Sequence, residues 1–559
     1  LNVPEAAPSL VDALADKNAD VRLAALPALA RLNVSSAWDG VVTCLSDSEA
    51  EVRARAISTL RRLANGSTNF AMHVHPLLDD PVPAVRAAAA VSLLAAGPHS
   101  RAHETLREMS VAEDMESRVE VLKAFDAWGD GAAYGPAEAA LRDPQPVVRR
   151  AAASALAHID DPRCPETLVN ALSDEDRSVR ETIAASIGTL GLPALECTVR
   201  SLSDPALEDG ALLALEMLPV GSQADRIRAY ARDRITRALH YHQLWRHRIA
   251  LVRRDNRAQL LTDSLRHIAE RHGINVLRAI AVLDDSRAVA VAIDSLTSTD
   301  PLQRANAVET LDSIADRDIV RPVLRLWEPV DEGPDAHAHV THEQAFRQSL
   351  QDADPWLRAC AALDADGIDV PEIHSELRRL AQSDPDATVR ETAAAALDGG
   401  KPMQTLQTLS LMERILFLKR VPLFANLPPA ELKQVATIAD EHVFVGGEVL
   451  AEQNEPGDEL YVIVSGDVRV TVRTNGEEES ELALCGAGEY VGEMAVISRK
   501  PRMATLVAMG DVRALSIGQK QFEGILRERP ETSLAVMREL CDRLRELCDR
   551  LQERESAAL

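Results

Sequence analysis

The sequence predicts a mainly α-helical protein, a solenoid of stacked helix pairs followed by a small antiparallel, jelly-roll-like β-roll and a C-terminal helix. Three observations carry that reading. Hydrophobic residues make up 46% of the 559-residue chain but aromatic residues only 3%, so the core is built from Ala, Leu and Val, which suits close-packed helices better than large sheets. An Asp-to-Arg spacing recurs about every 32 residues over the first four hundred positions. After residue 440 the apolar period changes from 3.6 to 2.

The repeat, an Asp followed six residues later by Arg and usually written D-x-x-x-x-V-R, occurs at Asp16/Arg22, Asp47/Arg53, Asp80/Arg86, Asp143/Arg149, Asp174/Arg180, Asp352/Arg358 and Asp384/Arg390. The arginine steps 22→53, 53→86, 149→180 and 358→390 are 31, 33, 31 and 32 residues, and Arg118 falls near the middle of the double step 86→149. An alanine follows the arginine of each Asp/Arg pair by three positions except at Ile183. Each unit reads as two helices around an acidic turn. Asp-Pro at 80–81, 143–144, 354–355 and 384–385 predicts an N-cap acceptor followed by a residue already at helical φ. Neither helix buries its apolar face alone, but stacked units form a continuous core. The repeated Asp and Arg are therefore expected to cap helices and bond between repeats, not to act as catalytic acids.

These residues resemble HEAT repeats of the short bacterial type, strongly over 1–190 and 352–400. Between Gly191 and Leu350 the likeness fades, although Asp300-Pro301 with Arg304 and Ala307 still resembles one unit. The arginine-rich tract Ala224–His272 is expected to be longer-helical with a solvated basic face. His337, His339 and His342 with Glu343 lie in a Gly- and Pro-containing loop whose spacing fits no helical metal motif, so no metal is expected.

The expected division is a solenoid at 1–400, a connecting helix or linker at 401–421, a roll at 422–535 and an amphipathic helix at 536–559. Leu406–Lys419 reads as the connecting helix. Leu460–Val464, Val468–Arg473 and Val512–Ile517 read as strands, punctuated at Gly446-Gly447, Pro456-Gly457-Asp458, Ser465-Gly466-Asp467, Asn475-Gly476 and Gly510-Asp511. Turns about ten residues apart predict a small antiparallel roll.

Within it, Gly492-Glu493-Met494-Ala495 is followed by Pro501-Arg502-Met503-Ala504-Thr505. Chemically, an arginine can neutralise a phosphodiester with a two-pronged hydrogen bond. Backbone N–H groups at the start of a short helix from Glu493 can bind a further oxygen, and Gly492, Ala495 and Ala504 leave room for that approach. The segment closely resembles the phosphate-binding cassette of cyclic nucleotide-binding domains, with Val491 where an aromatic is common. The resemblance implies a cyclic nucleotide ligand held by Gly492, Glu493, Met494, Ala495, Arg502, Met503, Ala504 and Thr505, with Glu493 accepting from the ribose 2′-hydroxyl. Readers of cyclic GMP in this family tend to carry Thr or Ser where Met503 stands, which implies cyclic AMP rather than cyclic GMP.

Met537, Leu540, Leu544, Leu547 and Leu551 form a narrow heptad seam, expected to support a weak homodimer through 537–551 or to close over the nucleotide. The net charge of −26 opposes nucleic-acid binding, and the scattered cysteines, with no C-x-x-C, imply a reducing, cytoplasmic setting. Nucleophile-elbow, P-loop, zinc-protease and Rossmann patterns are missing, so a non-enzymatic sensor is expected. The order of solenoid, linker 416–427 and roll also resembles the cytosolic tail of bacterial nucleotide-translocase or major-facilitator-type transporters. That implies a longer membrane protein whose tail lies at the inner face of the plasma membrane, and a start at Leu1 without methionine fits it. A protein partner or transporter domain docked on the solenoid would then receive the signal. A free-standing cyclic AMP-responsive adaptor and a scaffold with a vestigial roll are the alternatives.

Overall fold

A computed structural model describes residues 6–528 apart from 65–68, 250–255, 285, 286, 297, 299, 315, 316, 329–341, 366, 367, 369, 399–407, 426 and 475–477, together with 533, 537, 538, 541 and 545. His337, His339 and Leu540, Leu544, Leu547 and Leu551 thus lie outside the described residues. The chain divides into two compact units, 1–232 with 275–316 and 233–274 with 317–559.

In the first unit the second helix of each pair runs Ala19–Leu32, Ala50–Leu63, Pro83–Ala96, Met115–Trp128, Pro146–Leu156 and Arg177–Leu190. Their apolar stripes, including Leu26, Leu29, Ile57, Leu60, Leu93, Leu122 and Leu156, are buried. The recurrent arginine links one repeat to the next. Arg22 reaches Asp47 with Nε and Nη2 at 2.7 and 2.8 Å, Arg53 reaches Asp80 at 2.8 and 2.9 Å, and Arg149 reaches Asp174 at 2.7 and 2.9 Å. Arg118 makes the same fork to Asp143. The remaining prong of each arginine folds back to the carbonyl six residues earlier, as Arg53 Nη1 does to Asp47 at 2.9 Å. One residue type therefore closes its own turn and grips the next repeat. Where Ala112 replaces the aspartate, Arg86 reaches Ser117 Oγ instead, at 3.3 Å.

The helix starts differ from the expected caps. Asp354 caps the helix that its proline begins, accepting from Trp356 N at 2.9 Å, and Asp300 meets the start of helix Pro301–Ile314 in the same way, accepting from Leu302 N at 2.9 Å. At Asp80, Asp143 and Asp384 the carboxylate accepts from the N–H two residues on, at 2.8–3.0 Å, and the helix begins later, at Pro83, Pro146 and Ala387. The aspartate is thus spent on the turn and the rung, and the N-cap position falls to the residue after the proline, where Asp386 accepts from Val389 N at 3.2 Å but Val82 and Gln145 make no side-chain cap.

The second unit carries the last repeats and the roll. Helices Pro355–Asp364, Pro371–Ser383 and Ala387–Leu397 continue the ladder, with Arg358 on Asp384 at 2.8 and 2.9 Å. The arginine-rich tract forms two long helices, Ala224–Ile249 and Asn256–Asp284. Arg228 and Arg237 pair with Asp225 and Asp233 on the surface, but Arg234 and Arg248 are buried and Arg248 bonds Asp364, so part of this basic face is core. Helices Leu411–Leu418 and Pro429–Ile438 lead into the roll.

The strands are β1 (Asp440–Phe444), β2 (Val449–Ala451), β3 (Glu459–Ser465), β4 (Val468–Thr474), β5 (Glu478–Cys485), β6 (Tyr490–Val491), β7 (Thr505–Ala508) and β8 (Val512–Gly518). They form two antiparallel four-stranded sheets, in the orders β1-β8-β3-β6 and β2-β7-β4-β5. Leu450, Tyr461, Ile463, Val468, Leu506 and Ala514 fill the roll, while Leu460, Val462, Leu515 and Ile517 belong to the apolar cluster that includes the lead-in helices.

Candidate functional site

The segment after β6 turns sharply and then forms one short helix. Gly492 has φ +87°, a left-handed conformation that glycine adopts without strain, and a Cβ there would lie 2.4 Å from Arg502 Nη1. Gly492 begins the helix Glu493–Ser498, which Arg499 ends with its N–H on the Ala495 carbonyl at 2.9 Å. Pro501 to Ala504 then return the chain to β7.

Arg502 is clipped in place by its own backbone. Its N–H donates to the Glu455 carbonyl and its carbonyl accepts from Asn454 N, both at 2.8 Å. The side chain is inside, the residue only 6% exposed. Nη1 donates to the Gly492 carbonyl at 3.1 Å, and the guanidinium carbon stands 5.9 Å from the Tyr461 ring centroid, at the outer edge of a cation–π contact. Among the described residues no carboxylate forms an ion pair with it. A buried cation without an anion is costly, so this guanidinium has the chemistry to take one.

Burial, reinforced by the Glu459 carboxylate that accepts its hydroxyl at 3.1 Å, pushes the Tyr461 phenol up to about 12. It therefore stays a neutral donor and does not serve as a counter-charge for Arg502. Glu493 is buried beside the turn. Ala495 is buried, whereas Met494 and Met503 are exposed. Ala504 leads into β7, and Thr505 at its start holds the loop after β2 by accepting from Gln453 N at 3.1 Å.

The structure thus brings Gly492, Ala495 and Arg502 together. They meet around a residue that the sequence reading treated only as a turn. A Cβ on Gly457 would lie 2.5 Å from Ala495 Cβ and 2.6 Å from Arg502 Nε, so the loop before β3 must be glycine for the cassette to close. Glu459 and Tyr461 were likewise missed, because nothing local to β3 signals which strand faces the cassette. The turn at Pro456-Gly457-Asp458 was the available signal. Among the described residues no group of three or more His, Cys, Asp or Glu side chains is placed to hold a metal ion.

Comparison with known proteins finds two domain families in the chain. Residues 441–529 match the cyclic nucleotide-binding domain family, and residues 7–93 and 136–219 match HEAT repeats. A stretch of 110 residues is 34% identical to the cAMP-dependent protein kinase regulatory subunit of Blastocladiella emersonii, covering 20% of this chain and 27% of that protein. A stretch of 112 residues is 32% identical to the cGMP-dependent protein kinase egl-4 of Caenorhabditis briggsae, covering 20% of this chain and 15% of that protein. The chain thus spans about a quarter or less of the length of these relatives. The solved Catabolite Activator Protein of Thermus thermophilus is 30% identical, with 24% of this chain and 63% of that one covered and a TM-score of 0.23. The roll is a domain of the cyclic nucleotide-binding type attached to a HEAT scaffold.

Proposed function

We propose that the protein is a non-enzymatic cyclic AMP sensor, in which the roll binds the nucleotide and the HEAT repeats carry the response. The observation that carries this reading is Arg502, a buried guanidinium held by Gly492 with no carboxylate partner among the described residues. A singly charged cyclic phosphodiester supplies the missing anion and accepts both prongs. Glu493 accepts from the ribose hydroxyl, the role implied by the cassette.

The relatives include a cAMP-dependent protein kinase regulatory subunit and a cGMP-dependent protein kinase, so the base is decided by this chain's own residues. Beside Arg502 stands Met503, which offers no hydroxyl to a guanine edge. This supports cyclic AMP as the ligand. Calorimetry and thermal melting of the full chain with each nucleotide test the reading, since a ligand that binds only the folded state raises the melting temperature. A stronger response to cyclic AMP than to cyclic GMP is the expected result. No heat and no shift with either at millimolar concentration would overturn the sensor.

In its finer form the proposal places the chain in the cytoplasm, as the regulatory tail of a bacterial membrane transporter. The order of solenoid, linker 416–427 and roll supports it. No helix among the described residues is long and apolar enough to cross a membrane, so the test is the gene itself. Apolar spans of about 20 residues upstream of Leu1 are expected, and an in-frame start codon at Leu1 would favour a free-standing adaptor.

A further inference from the structure

The sheet β2-β7-β4-β5 turns one face into the roll and the other away from it. Val468, Leu506 and Ala508 lie in the apolar filling of the roll, with Val470 and Cys485 packed against it. Side chains alternate along a strand, so Arg469, Leu484 and Val507 belong to the outer face. The register joins one outward row across all four strands, with Val449 opposite Val507, Val507 opposite Arg469, and Arg469 opposite Leu484. The solvated face of an antiparallel sheet is ordinarily polar. Here three of the four positions are apolar, and Val449 and Leu484 are 42% and 56% exposed.

The next outward row runs from Thr505 through Thr471 to Glu481. Between the two rows the pairing of β4 with β5 slips by one residue, which leaves Leu482 as the extra residue of a bulge. Leu482 is also 56% exposed. Arg469 and Glu481 therefore sit on neighbouring strands, one row apart, on the same face. Neither forms an ion pair among the described residues, and Arg469 Nε is buried there without a hydrogen-bond partner. Arginine set among exposed apolar side chains is the composition of an interface core, from which most other charges are depleted.

We propose that this face is a contact between two copies of the chain, in which Arg469 of each copy pairs with Glu481 of the other. A two-fold interface must be self-complementary. A face made for a different protein needs one sign of charge, whereas this one carries both, placed diagonally as a two-fold axis requires. An axis running across the strands, midway between the two rows, sets the sheets face to face about 10 Å apart and each Arg469 one strand, ~4.8 Å, to the side of the other copy's Glu481. That is within reach of an arginine side chain. The pair forms twice, and Val449, Leu482 and Leu484 exclude water around it. Four strands about 20 Å long give a footprint on the order of 400 Å², small beside the roughly 800 Å² per partner of a stable complex. The association is therefore reversible, with a dissociation constant on the order of tens of micromolar. The net charge of −26 opposes it, but at about 0.15 M salt that repulsion is screened beyond roughly 8 Å, and the local pairs decide.

Sedimentation equilibrium of the full chain without nucleotide, from about 10 to about 200 µM in about 0.15 M salt, reads the association. Wild type is expected to dimerise across this range. Leu484→Asp, which puts a charge into the apolar row, should weaken the dimer at least tenfold. Arg469→Glu and Glu481→Arg each set like charges against each other and should weaken it about tenfold, while the double variant, with the pair reversed, should return to within about threefold of wild type. Glu481 and Leu484 are exposed, so their variants keep the fold if Arg469→Glu does not. A wild-type monomer at the highest concentration overturns the proposal. So does a double variant no tighter than the singles, and a dimer indifferent to Leu484→Asp assigns self-association to another surface such as the seam at 537–551. The contact does not depend on the nucleotide, so its failure leaves the sensor reading untouched.

Discussion

Arg358 in the repeats and Arg502 in the roll are buried almost equally, at 9% and 6% exposure, yet their forks serve opposite ends. Arg358 is closed on Asp384 with two hydrogen bonds and folds its third prong onto the Asp352 carbonyl at 2.8 Å. Arg502 spends one prong on a neutral carbonyl. A buried guanidinium with its carboxylate is part of the framework, whereas one without it is stored binding capacity. The arginine itself is the same. What differs is whether the sequence places an aspartate one repeat further on.

The largest test of that difference is stability. Removing one member of a buried ion pair leaves the other charge stranded and costs about 3–5 kcal/mol. Arg358→Ala strands Asp384, which is 4% exposed, and should lower the denaturant midpoint accordingly. Arg502→Ala strands no carboxylate and should leave the unliganded chain nearly as stable. Equal losses in urea unfolding of the two variants would break the distinction.

Ligand binding should invert the order. A hydrogen bond to a charged group contributes about 1.5–3 kcal/mol. Arg502 offers two such bonds to a charged phosphate and the Glu493 carboxylate one to a neutral hydroxyl, so Arg502→Ala should weaken cyclic AMP by roughly 100-fold or more and Glu493→Ala by roughly 10-fold. Titration calorimetry of the full-length variants reads both. Equal affinities would mean that the phosphate does not sit on Arg502.

The same contrast explains what the sequence made legible. The rungs were visible as a period because each aspartate and arginine lies in a turn or at a helix start of fixed length, and inter-repeat bonding was expected from it. The helix starts were misread, since a single carboxylate cannot serve the turn, the rung and the cap together. The first lead-in helix begins at Leu411, after the non-helical residues 408–410, because Ser410 and Glu413 form a capping box in which each side chain meets the other's backbone N–H, while the expected start at Leu406 lies outside the described residues. That Ser-x-x-Glu signal was present and unread. The cassette was legible because its residues are contiguous. Gly457, Glu459 and Tyr461 were not, because a roll brings together strands 35–45 residues apart and local pattern carries no record of which loop crosses which helix. Lys419 on Asp263 joins residues 156 apart in sequence and lies beyond any periodicity.

Acid should weaken the rungs of the repeats. Burial raises the Asp384 carboxyl, but the hydrogen bond from Arg358 and the N–H of Asp386 outweigh it and hold the group below its ordinary 3.8. A carboxyl depressed in the folded state stabilises above its unfolded value, and that contribution is lost as pH falls through the folded one. Asp47, paired with Arg22, is shifted in the same direction for the same reasons. Since burial and pairing oppose each other on one group, each rung should matter less here than when its arginine is deleted. Melting temperature measured from pH 7 to pH 3 should fall below about pH 4, near the ordinary carboxylate value. The fall should be shallower in Arg358→Ala, where Asp384 no longer gains from ionisation. Parallel curves would show that the rungs do not govern acid stability.

The smallest effect concerns the residue next to Arg502. Met503 is 66% exposed, so threonine fits there without disturbing a core and stability should hardly change. The substitution replaces a thioether, which cannot donate, with a hydroxyl that can both donate and accept. Cyclic GMP differs from cyclic AMP at the purine edge, where such a hydroxyl can add one neutral hydrogen bond worth about 0.5–1.5 kcal/mol. Exposure lets water compete for that bond, so the lower end applies. Met503→Thr is expected to move the affinity ratio toward cyclic GMP by roughly two- to fourfold, with cyclic AMP itself little affected because Arg502 still holds the common phosphate. Competition binding of the two nucleotides to wild type and variant reads the ratio directly. An unchanged ratio would place base recognition away from the cassette, and leave Arg502 as a phosphate receptor that does not distinguish the purines.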